Sequence, residues 1–552
     1  MDVDDTLRSL GKYGRFQILQ YVYTLICSPS AAYPLVIYVF IGYIPDFQCK
    51  FPSDLLTNYY RETNGSQNVT MYTRQCDVIL ETNRSGVVTQ DILPCTDGYD
   101  FFGRETTISE WNLVCQSEGL GSMPSTMVAV GQMIGASLFT ALSDKYGRLV
   151  VTYTTFIGTS VCFILTAVVP WFFGFVILRL LTGAFAQGFG LVLATIQVEL
   201  FPAESRGFVS FVGNLMWTFS ISSIALIAYL LRSVSWRYTM LTAGLVGVHS
   251  LGTRWILKES PRWLVVNGRY EEAKVWIRKA AKWNRKDAAI ILADLNLALE
   301  NGNVQGHAEN NTNTEILNSQ INDVNERTEN INLSSHLEEK LSVLDIFRNR
   351  RILITSVIVW IIWFVNSITY YGLFLTSGTM NGDMYLNFFL NGLVEIPSVF
   401  LYMFTINRYG RKKTCIMFHA IAGVCLSVSA VLMYLKASLV MEGFATAFSL
   451  VGKFGISGSW MTIFLYTEEV YPTNLRALGI GLASCSARIG AMISPYAALF
   501  GTHIPWGPGV VFGILSVLVT VLIIWLPETT GKELPNTLEE VNDLYVQKKD
   551  DQ

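Results

Sequence analysis

The chain has 552 residues, 51% of them hydrophobic and only 15% charged, with a mean hydropathy of +0.37. Soluble domains carry about 25% charged residues, so the composition excludes an ordinary soluble protein. The net charge of -3 says nothing about nucleic acid, and no stripe of basic and aromatic residues points to it, so no nucleic-acid partner is expected.

A bilayer core of about 30 Å takes roughly 20 apolar residues per helix, and the sequence predicts twelve such runs. The first, near residues 16–43, follows an acidic opening and is too long for a signal-peptide core, so no cleaved signal is expected. Residues 45–120 then hold Cys49, Cys76, Cys95 and Cys115 with the sequons at Asn64, Asn68 and Asn83. That pattern predicts an extracellular, disulfide-bonded and glycosylated cap, and four cysteines allow three pairings among which sequence does not choose. Five further runs, near 121–142, 149–169, 172–198, 208–231 and 236–257, complete a first half over residues 1–257.

Residues 258–350 form a predicted cytoplasmic loop. In it Ala273, Trp276, Ile277 and Ala280 follow helical spacing. From about 300 to 335 there are ten Asn and no Phe, Trp or Tyr, a composition that predicts a disordered tract. A second half over 351–526 repeats six runs, near 351–376, 384–406, 415–435, 443–466, 477–499 and 508–526, before a tail at 527–552. Lys and Arg gather at the N-terminus, in the turns at Arg148 and Arg411 and in the central loop, while alternate connections carry none. By the positive-inside rule both termini are cytoplasmic, and the chain is expected in the cell (plasma) membrane as a multi-pass protein.

The halves repeat internally. "SDKYGR" at 143–148 recurs as "NRYGRK" at 407–412, and Glu199, Pro202 and Arg206 recur 270 residues later as Glu469, Pro472 and Arg476. Parallel six-plus-six repeats with a substrate site between them are the architecture of secondary transporters. These turns, with "ESPRWL" at 259–264 and "LPETTG" at 526–531, resemble motifs of the major facilitator superfamily. The long Cys- and sequon-bearing loop, "GKFG" at 452–455 and "YTEEVYP" at 466–472 resemble its organic cation, anion and zwitterion transporter family. The resemblance implies an all-α fold of 12 transmembrane helices in two halves related by a pseudo-two-fold axis, no cofactor, and a monomer carrying a small organic ion substrate through the lipid bilayer.

Charged residues at the turns, namely Asp144, Arg148, Glu199, Arg206, Glu259, Arg262, Arg411, Glu469 and Arg476, are expected to form a cytoplasmic gate where the halves meet. Charges inside apolar runs usually face an aqueous cavity, which singles out Glu395, Lys453 and Arg488; Arg179 and Lys453 also look like general features of the family. An Arg can fork onto a carboxylate with two parallel bonds, so Arg488 favours a carboxylate-bearing substrate. Glu395 leaves room for a cationic group on the same molecule. Aromatic faces attract ammonium groups, and the expected lining is Tyr33, Tyr38, Trp217, Trp363, Tyr370 and Tyr371, with Gln187 and Asn214 as hydrogen-bonding groups. The reading is alternating-access transport of organic ions, leaning to carnitine-like zwitterions or anions. The alternatives are an organic cation transporter, a sugar porter and a binding-only receptor. The five scattered histidines and the absence of H-E-x-x-H, G-x-S-x-G and P-loop patterns argue against an enzyme or metal site, and no motif specifies a coupling ion.

Overall fold

The computed structural model describes residues 3–50, 68–84, 87–293, 343–378, 380, 382–435, 438–532, 535 and 541. The Asn-rich tract, Asn64 and most of the tail lie outside them.

A short amphipathic helix α1 (Val3–Leu10) precedes α2 (Arg15–Val36) and α3 (Tyr38–Ile41), which together cover the first apolar run. Pro29 and Pro34 lie inside α2. A proline cannot donate to the carbonyl four residues back, and the helix gives way at Ile37. The cap follows with β1 (Asp46–Cys49), β2 (Asn68–Thr73), β3 (Asp77–Arg84), β4 (Val87–Pro94), β5 (Tyr99–Phe102) and the helix α4 (Thr107–Glu110). β1 pairs antiparallel with β5, and β2-β3-β4 form a separate antiparallel sheet. The pairing that sequence left open is Cys49 with Cys95 and Cys76 with Cys115. Asn68 and Asn83 are register partners on β2 and β3.

The rest of the first half is α5 (Glu118–Tyr146), α6 (Arg148–Val168), α7 (Phe172–Glu199), α8 (Arg206–Leu230), α9 (Trp236–Val246) and α10 (Thr253–Ile256). Two peripheral helices, α11 (Pro261–Val266) and α12 (Tyr270–Asn284), follow. The helical spacing seen in the loop is real: Ala273, Trp276, Ile277 and Ala280 are the buried face of α12. After α13 (Val343–Arg348) the second half runs as α14 (Arg350–Leu375), α15 (Met384–Leu393), α16 (Glu395–Ile406), α17 (Arg411–Leu435), α18 (Leu439–Val470), α19 (Thr473–His503) and α20 (Gly507–Ile523).

Among the described residues, eight helical spans are long and apolar enough to cross a membrane, and α20 is apolar but shorter. The difference from twelve runs has local causes. The run at 236–257 is not one helix: it passes from α9 through a 3-10 stretch at Gly247–Gly252 before α10. The run at 384–406 counts among the eight, although its helix breaks at Val394, just before Pro397. Close helix approach is set by small residues: a Cβ at Gly131 would lie 2.0 Å from the Leu180 carbonyl oxygen, and one at Gly135 2.1 Å from that of Ala184. With glycine there, α5 and α7 pack backbone to backbone.

Candidate functional site

The helix break at Val394 places Glu395 at the start of α16, turned toward α8 and α18. Its Oε2 accepts a hydrogen bond from Thr218 Oγ1 of α8 at 3.2 Å. From α18, Lys453 brings its Nζ to 3.2 Å from Glu395 Oε1, with both side chains buried. The two meet as an ion pair, and neither Nζ nor Oε1 has a well-aligned hydrogen bond among the described residues. The ammonium instead sits 3.1 Å from the centroid of the Tyr370 ring and 3.8 Å from that of Phe374, over their negative faces. Trp217 Nε1 donates to Tyr370 Oη at 3.5 Å. α8 from the first half and α14, α16 and α18 from the second thus converge on one buried charge pair. In this structure Lys453 faces Glu395, where the sequence left room for a cationic group.

Arg488, half-buried on α19, lies beside Tyr371. Its Nη1 donates to Gln132 Oε1 of α5 at 3.0 Å, while its Nε is buried without a partner among the described residues. Gln132 is itself buried and was not foreseen. A lone Gln in "VAVGQMIGA" carries no spacing signal; only the packing of α5 on α19 reveals it.

Other expected lining residues are committed within the bundle. Tyr33 Oη bonds Ser223 Oγ at 2.8 Å. Tyr38 donates to the Gly121 carbonyl at 2.6 Å and lies beside buried Arg179, which donates to the Pro34 carbonyl at 3.0 Å. Both contacts stay inside the first half, which makes Tyr38 and Arg179 packing groups in this state. Trp363 is buried, donates to Thr467 Oγ1 at 2.9 Å and packs on Trp460 and Phe464 in the second half. Gln187 is half-buried on α7 and Asn214 exposed on α8.

The gate residues close two matching networks, each inside its own half. Arg148 meets Asp144 at 2.8 Å and Glu199 at 3.6 Å. Glu259 accepts from the Arg148 amide at 2.9 Å and from the amides of Leu149 and Ser260, so it caps the start of α6. Burial pushes its carboxyl above the ordinary value, against the downward pull of those three amides and of Arg148. In the second half Arg411 meets Glu469 at 2.9 Å, and its amide donates to Glu528 at 2.9 Å. Glu528 is the counterpart of Glu259 and was missed, although "KESP" and "LPET" each follow the last run of a half. Arg206 and Arg262 both grip Asp4 of α1, Arg206 at 3.3 Å, and Arg476 donates to the Tyr471 carbonyl at 3.4 Å. The expected meeting across the halves is thus replaced by pairs within them.

The halves do meet elsewhere, at Phe40 against Tyr385 and Phe388, at Trp217 with Tyr370, and along two longer seams. Between α5 and α19, Glu118 meets His503 at 2.9 Å, Ser122 donates to the Pro495 carbonyl at 3.4 Å and Thr126 to that of Met492 at 3.0 Å, in addition to Gln132 with Arg488. Between α8 and the α15–α16 pair run Tyr229 with Tyr385, Thr218 with Glu395, and Phe211 with Phe400. The polar bonds of the first seam all lie on the cap side of α5 and reach only to its middle.

A family model described as sugar (and other) transporter matches residues 65–545. The chain belongs to this family. Curated members like it include rat solute carrier family 22 member 7, 29% identical with all of both chains covered. The Drosophila melanogaster organic cation transporter protein is 28% identical, covering 98% of this chain and 94% of that one. Human organic cation/carnitine transporter 2 is 29% identical over 81% of this chain and 74% of its own. Among solved structures, the xylose transporter XylE from E. coli in an inward-open conformation superposes with a TM-score of 0.60 at 14% identity, covering 96% of this chain and 99% of that one. The sugar (and other) transporter family member described here therefore has the major facilitator fold, and two of these relatives are named as organic cation or organic cation/carnitine transporters.

Proposed function

We propose that this protein carries small organic ions across the membrane by alternating access and favours those bearing a carboxylate. The observation behind the preference is the state of the three central charges. Lys453 cancels Glu395 at 3.2 Å, while Arg488 faces two neutral groups, the amide of Gln132 and the hydroxyl of Tyr371. A net positive site with free guanidinium donors suits an anion or the carboxylate end of a zwitterion. The faces of Tyr370 and Phe374, now under the Lys453 ammonium, would suit the cationic end of a carnitine-like molecule or a plain organic cation.

The remaining parts of this reading are a plasma-membrane monomer of twelve spanning segments with both termini cytoplasmic, an extracellular cap glycosylated at Asn68 and Asn83, and no enzymatic step. The paired networks at Arg148 and Arg411 serve as the cytoplasmic gate by exchanging partners between halves when the opposite face opens. Such ion pairs are worth about 0–1 kcal/mol when solvated and more when closure dries them.

Uptake of salicylate, L-carnitine and tetraethylammonium into proteoliposomes, with sodium and membrane potential varied separately, tests the proposal. Arg488→Ala should cut salicylate and L-carnitine uptake at least about tenfold, since a charged hydrogen bond is worth about 1.5–3 kcal/mol, and spare tetraethylammonium. Equal loss of all three makes Arg488 structural, and ligand binding without flux makes the protein a receptor.

A further inference from the structure

We infer that Gln132 is a placeholder for the substrate carboxylate: it holds the Arg488 guanidinium across the interface of the halves and gives it up when a carboxylate arrives. This rests on the reading of Arg488 as the carboxylate-binding residue.

Four observations lead there. Gln132 belongs to α5 in the first half and Arg488 to α19 in the second, so the 3.0 Å bond between them crosses the interface. Gln132 is fully buried, which gives its amide little freedom to turn elsewhere. A guanidinium presents five donors in a fork, and one amide oxygen takes one of them; Nε is left buried without a partner among the described residues. Finally, the bond stands at the inner end of a row formed by Glu118 with His503, Ser122 with Pro495 and Thr126 with Met492, so it is the innermost member of that seam along α5 and α19.

A neutral carbonyl aims the guanidinium without satisfying it. A carboxylate offers two acceptor oxygens to the same fork, and charge-assisted bonds are about twice as strong as neutral ones. The exchange therefore runs toward the substrate, and it removes one of the bonds joining α5 to α19. Recognition of the carboxylate and loosening of the cap-side seam become a single event. Gln132 touches Arg488 and acts through it, which makes it a positioning residue for transport.

The test uses the full-length protein in proteoliposomes. Gln132→Glu places a tethered carboxylate of nearly the same shape on Arg488; it should raise the KM for salicylate and L-carnitine at least about tenfold while tetraethylammonium KM stays within about twofold. Gln132→Ala removes the competitor and should lower salicylate KM by roughly twofold to tenfold, with kcat falling less than KM. A second measurement, the salicylate-induced rise in Tm of detergent-solubilised protein, should shrink in Gln132→Glu and grow in Gln132→Ala, and it serves if either variant inserts poorly into liposomes. Unchanged KM ratios in both variants, or kcat losses equal for all three probes, overturn the placeholder. Arg488→Ala separates the two levels: an unchanged salicylate KM in that variant overturns the site reading itself, whereas a large effect there with none in Gln132→Glu overturns only the role of Gln132.

Discussion

The buried pair of Glu395 and Lys453 illustrates how a single residue's role depends on what faces it. Removing one partner from a buried ion pair costs about 3–5 kcal/mol because the other charge is stranded, whereas replacing both can be nearly neutral. Lys453→Met and Glu395→Gln alone are each expected to lower the Tm and the yield of folded protein. The double variant should recover more than half of the loss, read by thermal melting in detergent. The sequence marked both residues, since an ionisable group inside an apolar run stands out. It could not show that they touch, because α16 and α18 are far apart along the chain and meet only in the folded bundle. Gln132 marks the opposite limit: an amide among small residues has no signature until α5 is laid against α19.

At the scale of elements, the Gly-Arg turns explain themselves once the acids behind them are seen. Gly147 has φ +102, and a Cβ on it would lie 2.4 Å from Glu259 Oε2; Gly410 has φ +91, and a Cβ would lie 2.6 Å from Glu528 Oε2. Such backbone costs a side-chain-bearing residue about 1–3 kcal/mol, and here the side chain would also displace the carboxylate capping α6 or α17. Gly147→Ala and Gly410→Ala should both reduce folded yield and Tm, while Gly207→Ala, whose Cβ would meet nothing within 4 Å, leaves both near the wild-type value. The turns and their repetition were readable because glycine, arginine and spacing are local signals. Glu528 was not, because its partner is the Arg411 amide 117 residues away, and a backbone amide leaves no mark in the sequence. The break at Val394 had a sign in Pro397, whereas the one at Gly247 was hidden, since an apolar run looks continuous whether or not its helix is.

For the whole molecule, the two seams define what must part when the cap side opens. A disulfide between Glu118→Cys and His503→Cys, built where the side chains now meet at 2.9 Å, should arrest uptake. A reductant should then restore it in this variant without changing the parent protein's rate. Continued transport through the cross-link would mean that this seam need not open. The two-half plan and the cap were readable from run count, charge placement and cysteines. Which face is closed was not, because the same helices and charges serve both states and differ only in partners.

Asp4 has a consequence of its own. By joining Arg206 at the start of α8 to Arg262 on α11, it fastens the first helix of the chain to the first half and the loop helix that follows it, and Arg8 and Lys12 add a second tie through Glu204. α1 is then freight carried by that half whenever the two rock. A dye on exposed Ser9 would ride with it as a passive marker, and one on exposed Lys413 would ride with the other half. With the exposed thiol of Cys485 replaced by serine, the distance between the dyes becomes a ruler for the rocking itself, read without any substrate label.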